Sequence, residues 1–255
     1  MVADPPLTCA AGSIGTVGDA FVLLHAPALG PASWAPVASA LARGGHQVVV
    51  PALAGFASGR PPYVARLIRH AVAQLPVTSA DRMVLVPHSG AGVFAPYLAA
   101  AVPGAAVRVV FADAALPPAA PGPATVVDAG FLPFLRDLAV DGMVPPWPDW
   151  WPDEDLSPLF PNADIRRTVA AEAPALPLAF YTELLPPVPD AWADCRCGFL
   201  QFSVGYREQA AAARDRGWPV RELAGEHLHM LIDPDAVAAA LVGLAAAACG
   251  AGGRT

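Results

Sequence analysis

Ser89, His227 and Asp113 are the residues whose types and settings in this chain could do nucleophilic chemistry. Ser89 lies in Val84-Leu85-Val86-Pro87-His88-Ser89-Gly90-Ala91-Gly92, between an apolar run and a helical stretch. A tight turn from strand to helix lifts a serine hydroxyl above a sheet, and the residues around it must be small because the two backbones nearly touch. Gly90, Ala91 and Gly92 meet that need, although Pro87 and Ala91 stand where glycines are usual. The plainer alternative is an ordinary turn with serine as the helix cap. His227 follows the last apolar run, in Gly225-Glu226-His227-Leu228-His229-Met230. An imidazole there can take the hydroxyl proton as general base. His229 is the lesser candidate, and a loop histidine bonded to a carbonyl is the plainer alternative.

The imidazole needs a carboxylate at a strand's C-terminal end to orient it. The usual place follows 198–202, but Ser203-Val204-Gly205-Tyr206 has no acid. The preceding parallel strand ends in Phe111-Ala112-Asp113-Ala114, which puts Asp113 at the right edge. A cap on the following turn is the other use for Asp113, and Glu226 is a weaker substitute. The Gly90 N–H, just after the serine, is a candidate donor to a developing oxyanion.

A sheet must position these groups. Apolar runs at 20–24, 46–50, 82–86, 107–112, 198–202 and 219–223 read as strands. Helical stretches alternate with them at 33–43, closed by Gly44-Gly45, at 64–74, at 91–101, stopped by Pro103-Gly104, and at 206–216. Asp233-Pro234 opens a final helix, with Asp as cap and Pro at the first position. Such alternation implies an α/β fold with a mainly parallel sheet. Runs without polar alternation fit strands buried on both faces. The region 114–196 breaks the pattern, holding most of the prolines and four of the six tryptophans. It reads as an insertion over the sheet's C-terminal edge, with helical pieces near 131–140 and 163–172; the core is 1–113 and 197–255. Phe131, Phe134, Trp147, Trp150 and Trp151 are its lid candidates over an apolar pocket, or else simply its own core. Glu172 and Glu183 are its acids to watch.

A chain of 255 residues can bury roughly 70–75% of its unfolded surface without staples. It is 55% hydrophobic and 15% charged, far from a disordered composition. The net charge is −7 and all 15 basic residues are arginines that form no stripe, so a nucleic-acid partner is not expected. Met1-Val2-Ala3-Asp4-Pro5-Pro6 has no secretory pattern. The most apolar run, 236–250, is too short to span a bilayer, so no membrane partner is expected. Cys9, Cys195, Cys197 and Cys249 form no disulfide framework, and Cys195-Arg196-Cys197 is one residue short of a metal-binding pair. A single cytoplasmic domain follows, without metal or organic cofactor, acting on an apolar small molecule; a homodimer is compatible with this.

With these motifs in order, the chain resembles the α/β-hydrolase superfamily along nearly its whole length, in the style of small serine esterases and hydroxynitrile-lyase-like members with a cap insertion. The turn His25-Ala26-Pro27, running through Gly30 to Trp34, is similar to the family's histidine–glycine turn before a helix. The resemblance implies the α/β-hydrolase fold, with Ser89 as nucleophile, His227 as base, and Asp113 as an acid in a known variant position. It implies an oxyanion and substrate site built from His25, Ala26, Pro27, Ala28 and Gly90, under Trp147, Trp150 and Trp151. By ungapped reading from His25, the second oxyanion donor falls on Pro27, which has no N–H. Losing one such donor costs about 10²–10³-fold in rate, so either the Ala28 N–H replaces it or oxyanion chemistry is not the main task. The expected activity is a serine hydrolase of an ester, thioester or related acyl bond. The alternatives are a lyase, cyclase or carbon–carbon bond-forming enzyme using the Ser/His pair as acid and base, and a ligand-binding protein without catalysis.

Overall fold

The computed structural model describes residues 18–78, 82–102, 107–118 and 122–250, with the side chains of 249 and 250 left out. The first elements are β1 (Ala20–Leu24), α1 (Ala35–Arg43), β2 (Gln47–Val49), α2 (Tyr63–Val72), β3 (Met83–Ser89), α3 (Ala95–Ala100) and β4 (Arg108–Ala114). A long segment follows with α4 (Leu132–Leu138), β5 (Met143–Val144), α5 (Asp153–Leu156), α6 (Ala163–Glu172), β6 (Leu176–Pro177) and α7 (Leu178–Tyr181). The chain returns through β7 (Arg196–Gln201), α8 (Arg207–Asp215), β8 (Val220–Glu222), α9 (His229–Ile232) and α10 (Pro234–Gly250). The N-terminal segment with Cys9, the Pro103-Gly104 stop and the Cys249 side chain lie outside the described residues.

Among the described residues six strands form one parallel sheet in the order β2-β1-β3-β4-β7-β8. The order reverses between β1 and β3, and open parallel sheets bind ligands beyond the strands' C-terminal ends at such a reversal. Pro27 follows β1 there, Ser89 ends β3, and Asp113 lies at the end of β4.

Parallel strands need cover on both faces. β1 and β4 are buried at every residue. α10 lies across β4 and β7 and packs on α1, while α2 packs on α3. In α10, Val237, Ala240, Leu241, Leu244 and Ala245 are buried, the spacing of one helix face. Its larger side chains each contribute about 1.5–3 kcal/mol on burial. The helix starts where the Asp233 carboxylate accepts from the Ala236 N–H at 3.0 Å, with Pro234 as its first residue. Among the described residues no helix is long and apolar enough to cross a membrane.

Two elements differ from the sequence expectation. β3 runs on to Ser89 rather than ending at 86, because Pro87 stands opposite Leu24, where the ladder with β1 runs out. The helix expected over 91–101 is a 3-10 turn at Gly90–Phe94 followed by α3 at Ala95–Ala100. Pro96 has no N–H to give, so it fits only the first turn of an α-helix, which sets the start of α3.

The segment between β4 and β7 carries a two-stranded antiparallel pair, β5 with β6, too short to leave a periodic signal. Two of its acids tie it to the rest of the protein, and neither lines the cavity described below. The Glu183 carboxylate accepts from the Tyr63 and Val64 N–H groups at 2.7 and 3.0 Å, at the start of α2, where Pro62 offers no side-chain cap. Glu172 accepts from the Ala32 N–H at 2.7 Å. A carboxylate on free N–H groups at a helix start satisfies both hydrogen bonding and the helix dipole. Glu183→Ala is therefore expected to cost about 1–2 kcal/mol, a fall in Tm of roughly 2–8 °C for a domain of this size. An unchanged thermal melt would contradict this tether.

Candidate active site

Ser89 has φ 55° and ψ −133°, a backbone conformation that costs of order 1–3 kcal/mol for a residue with a side chain. Its surroundings enforce it. The register between β3 and β4 slips after His88, so that His88 faces Ala112 and Ser89 faces Ala114. The Ala115 N–H then donates to the Ser89 carbonyl at 3.0 Å. A Cβ on Gly92 would collide with the Ala115 carbonyl oxygen, whereas one on Gly90 would meet only the Pro27 Cδ, at 4.0 Å. The small residue that this turn demands is thus Gly92.

His227 reaches Ser89 from the loop before α9. Its Nε2 lies 3.0 Å from the Ser89 Oγ, and its Nδ1 lies 2.8 Å from the Asp113 Oδ2. Asp113 is fully buried and takes φ 44°, which Asp tolerates better than most residues. Three further donors converge on its carboxylate. Oδ1 accepts from the Phe202 and Ser203 N–H groups at 2.9 and 3.1 Å, and Oδ2 accepts from the Ser203 hydroxyl at 2.6 Å. The loop after β7, which lacks a carboxylate, instead binds the one supplied by β4. An acceptor-only carboxylate fixes the proton on His227 Nδ1. Nε2 is then free to accept from the Ser89 hydroxyl.

His88 steadies this arrangement from behind. It is fully buried, and burial holds its imidazole well below the usual histidine range, with the neighbouring His227 adding to the effect. As a neutral ring it donates from Nε2 to the His227 carbonyl at 3.0 Å. His229 lies elsewhere, at the start of α9 with its ring 5.7 Å from that of Phe202. Glu226 is at the cavity wall and has no contact with the His227 ring among its hydrogen bonds.

The turn after β1 closes with the Leu29 N–H donating to the Ala26 carbonyl at 2.9 Å, which puts Pro27 and Ala28 at its tip. Pro27 suits the first of these two positions and has no N–H to give; its Cδ would lie 4.0 Å from a Cβ placed on Gly90. Ala26, Pro27, Ala28 and Gly90 all line the cavity. His25 does not, which corrects its assignment to the substrate site. It is buried behind the turn, its Nδ1 2.8 Å from the Ala26 carbonyl, and burial lowers its pKa.

The cavity above Ser89 has a volume of about 1230 Å³. The segment between β4 and β7 supplies Phe131, Trp147, Trp150 and Trp151 to its wall. The Trp150 indole is locked by donating to the Pro145 carbonyl at 2.7 Å. Phe134 is not on the wall but stacks behind it, 5.1 Å from the Trp151 ring. Cys195 and Cys197 flank the start of β7, and burial raises the Cys195 thiol to about 11. Among the described residues no group of three or more His, Cys, Asp or Glu could hold a metal ion.

Tyr206 escaped the sequence reading. Its hydroxyl lies 3.2 Å from the Ser89 Oγ, and its ring stacks on His227 with centroids 5.0 Å apart and planes 6° from parallel. Burial pushes its phenol up to about 12, against the opposing effect of the Ser89 hydrogen bond. It is therefore a neutral donor at ordinary pH. The available signal was its place in the loop where an acid is usual; a tyrosine there carries no motif of its own.

A scan against protein-family models found no match, and no curated protein sequence matches the chain. Solved structures do. An extracellular α/β-hydrolase from a Paenibacillus species, described as sharing structural and functional homology with tobacco salicylic acid binding protein 2, superposes with a TM-score of 0.65 at 19% identity, covering 88% of this chain and 98% of that one. A pyrethroid hydrolase gives 0.63 at 19% identity, covering 92% and 100%. A variant of tomato methylketone synthase I in complex with beta-ketoheptanoate gives 0.60 at 18% identity, covering 91% and 100%. Sheet order, the turn at Ser89 and these neighbours agree that the chain has the α/β-hydrolase fold.

Proposed function

We propose that this protein is a serine hydrolase that cleaves an ester, thioester or related acyl bond of an apolar small molecule. The observation that carries this is the hydrogen-bonded line Asp113–His227–Ser89, which opens into a cavity walled by tryptophans. Ser89 attacks the carbonyl as His227 takes its proton, and Asp113 holds the imidazole in the tautomer that allows it. The Gly90 N–H and that of Ala28 stabilise the oxyanion. His227 then protonates the leaving group, and water releases the acyl group by the same steps. The region 114–196 acts as the cap that selects apolar substrates. Esterases and hydrolases among the structural neighbours support the reaction class. The test is turnover of p-nitrophenyl esters of apolar acids: hydrolysis lost in Ser89→Ala supports the assignment, and hydrolysis that survives Ser89→Ala contradicts it.

Pro27 at the tip of the oxyanion turn favours a second reading, in which the Ser/His pair serves as acid and base for a non-hydrolytic step. Under that reading generic esters turn over weakly even with Ser89 intact.

A further inference from the structure

We propose that Tyr206 is a further catalytic residue, donating a hydrogen bond to the leaving-group oxygen of the ester; this rests on the hydrolase reading above. Protons order the contacts around Ser89. The Asp113 carboxylate fixes the proton on His227 Nδ1, so the Ser89 hydroxyl donates to Nε2, and its remaining lone pairs accept. At 3.2 Å, the Tyr206 O–H is therefore the donor and Ser89 Oγ the acceptor. The phenol and the imidazole that reach Ser89 Oγ stand side by side, their rings stacked 5.0 Å apart.

An imidazole that protonates the leaving group must sit beside that group, and the stacked phenol sits there with it. In the resting enzyme the phenol occupies the serine oxygen. Once that oxygen has bonded to the acyl carbon, its basicity falls, and the leaving oxygen, on which charge grows, becomes the better acceptor. As the bond between acyl carbon and leaving oxygen breaks, its electron pair goes to that oxygen. His227 Nε2–H supplies the proton, and Tyr206 keeps its own while donating a hydrogen bond. The carbonyl re-forms on the acyl–Ser89 intermediate. A donor at the leaving group also lessens dependence on the oxyanion donors, to which Pro27, at the tip of the turn, has no N–H to add.

The experiment is Tyr206→Phe, which removes the hydroxyl and keeps the ring stacked on His227. A series of esters with one acyl group and alcohols of rising pKa is compared with the parent protein. The expected loss in kcat/KM is about 10- to 100-fold for alkyl esters, shrinking to within roughly 3-fold for p-nitrophenyl esters, whose leaving group needs little help. The thermal melt should stay in place. A loss equal across all leaving groups, or no loss for alkyl esters, would overturn the role of Tyr206 and leave the hydrolase reading intact. Absence of Ser89-dependent ester turnover in the parent protein would overturn both.

Discussion

Asp113→Asn is expected to lower kcat by about 10⁴-fold while leaving the protein folded. Asn tolerates the positive φ at this position nearly as well as Asp. It can still accept from the Phe202 and Ser203 N–H groups through its carbonyl oxygen. Its NH₂ group then occupies the place of Oδ2 and donates to His227. The imidazole must turn to the tautomer protonated on Nε2, which cannot take a proton from Ser89. The check is steady-state kinetics on an apolar ester beside a thermal melt. Activity within tenfold of the parent would mean that Asp113 does not govern the imidazole, since among the described residues no other acid bonds to that ring.

Gly92→Ala is expected to have the largest effect on stability. Its Cβ would collide with the backbone carbonyl of Ala115, and backbone, unlike a flexible side chain, gives way only if strands move. That carbonyl belongs to the residue whose N–H holds the Ser89 carbonyl. Relief of the clash would spread the end of β3 from the end of β4. A cost of about 3 kcal/mol or more is expected, which is roughly 6–12 °C in Tm for a domain of this size. Gly90→Ala serves as the control, because a Cβ there meets only the Pro27 Cδ at 4.0 Å. Equal melting of the two variants would show that the turn is not packed as described.

Much of this architecture was legible in the residues. β1 and α6 fall at 20–24 and 163–172, as the apolar run and the helical stretch indicate. Ser89, His227 and Asp113, chosen by residue type and by position at strand ends, stand within 3.0 Å of one another in sequence-distant pairs. The misses have distinct physical causes. The apolar run 82–86 is shorter than β3, which carries on through Pro87 because a strand can hold proline where its neighbour's ladder stops. The β5–β6 pair has two residues per strand, too few for a period. The turn's resemblance points to His25 as a substrate-site residue, but its ring folds back onto the adjacent Ala26 carbonyl. Tyr206 and Ser203 act through tertiary placement alone. Their loop holds no acid; it supplies a phenol to the Ser89 hydroxyl and three donors to Asp113 on another strand.

The most direct measurement of the central claim is covalent labelling by a fluorophosphonate, followed by peptide mass spectrometry. One adduct per chain, located on Ser89 and formed far more slowly in His227→Ala, is the predicted result. Folded protein that leaves Ser89 unmodified at probe concentrations that label ordinary serine hydrolases, or that labels equally fast without His227, would contradict it.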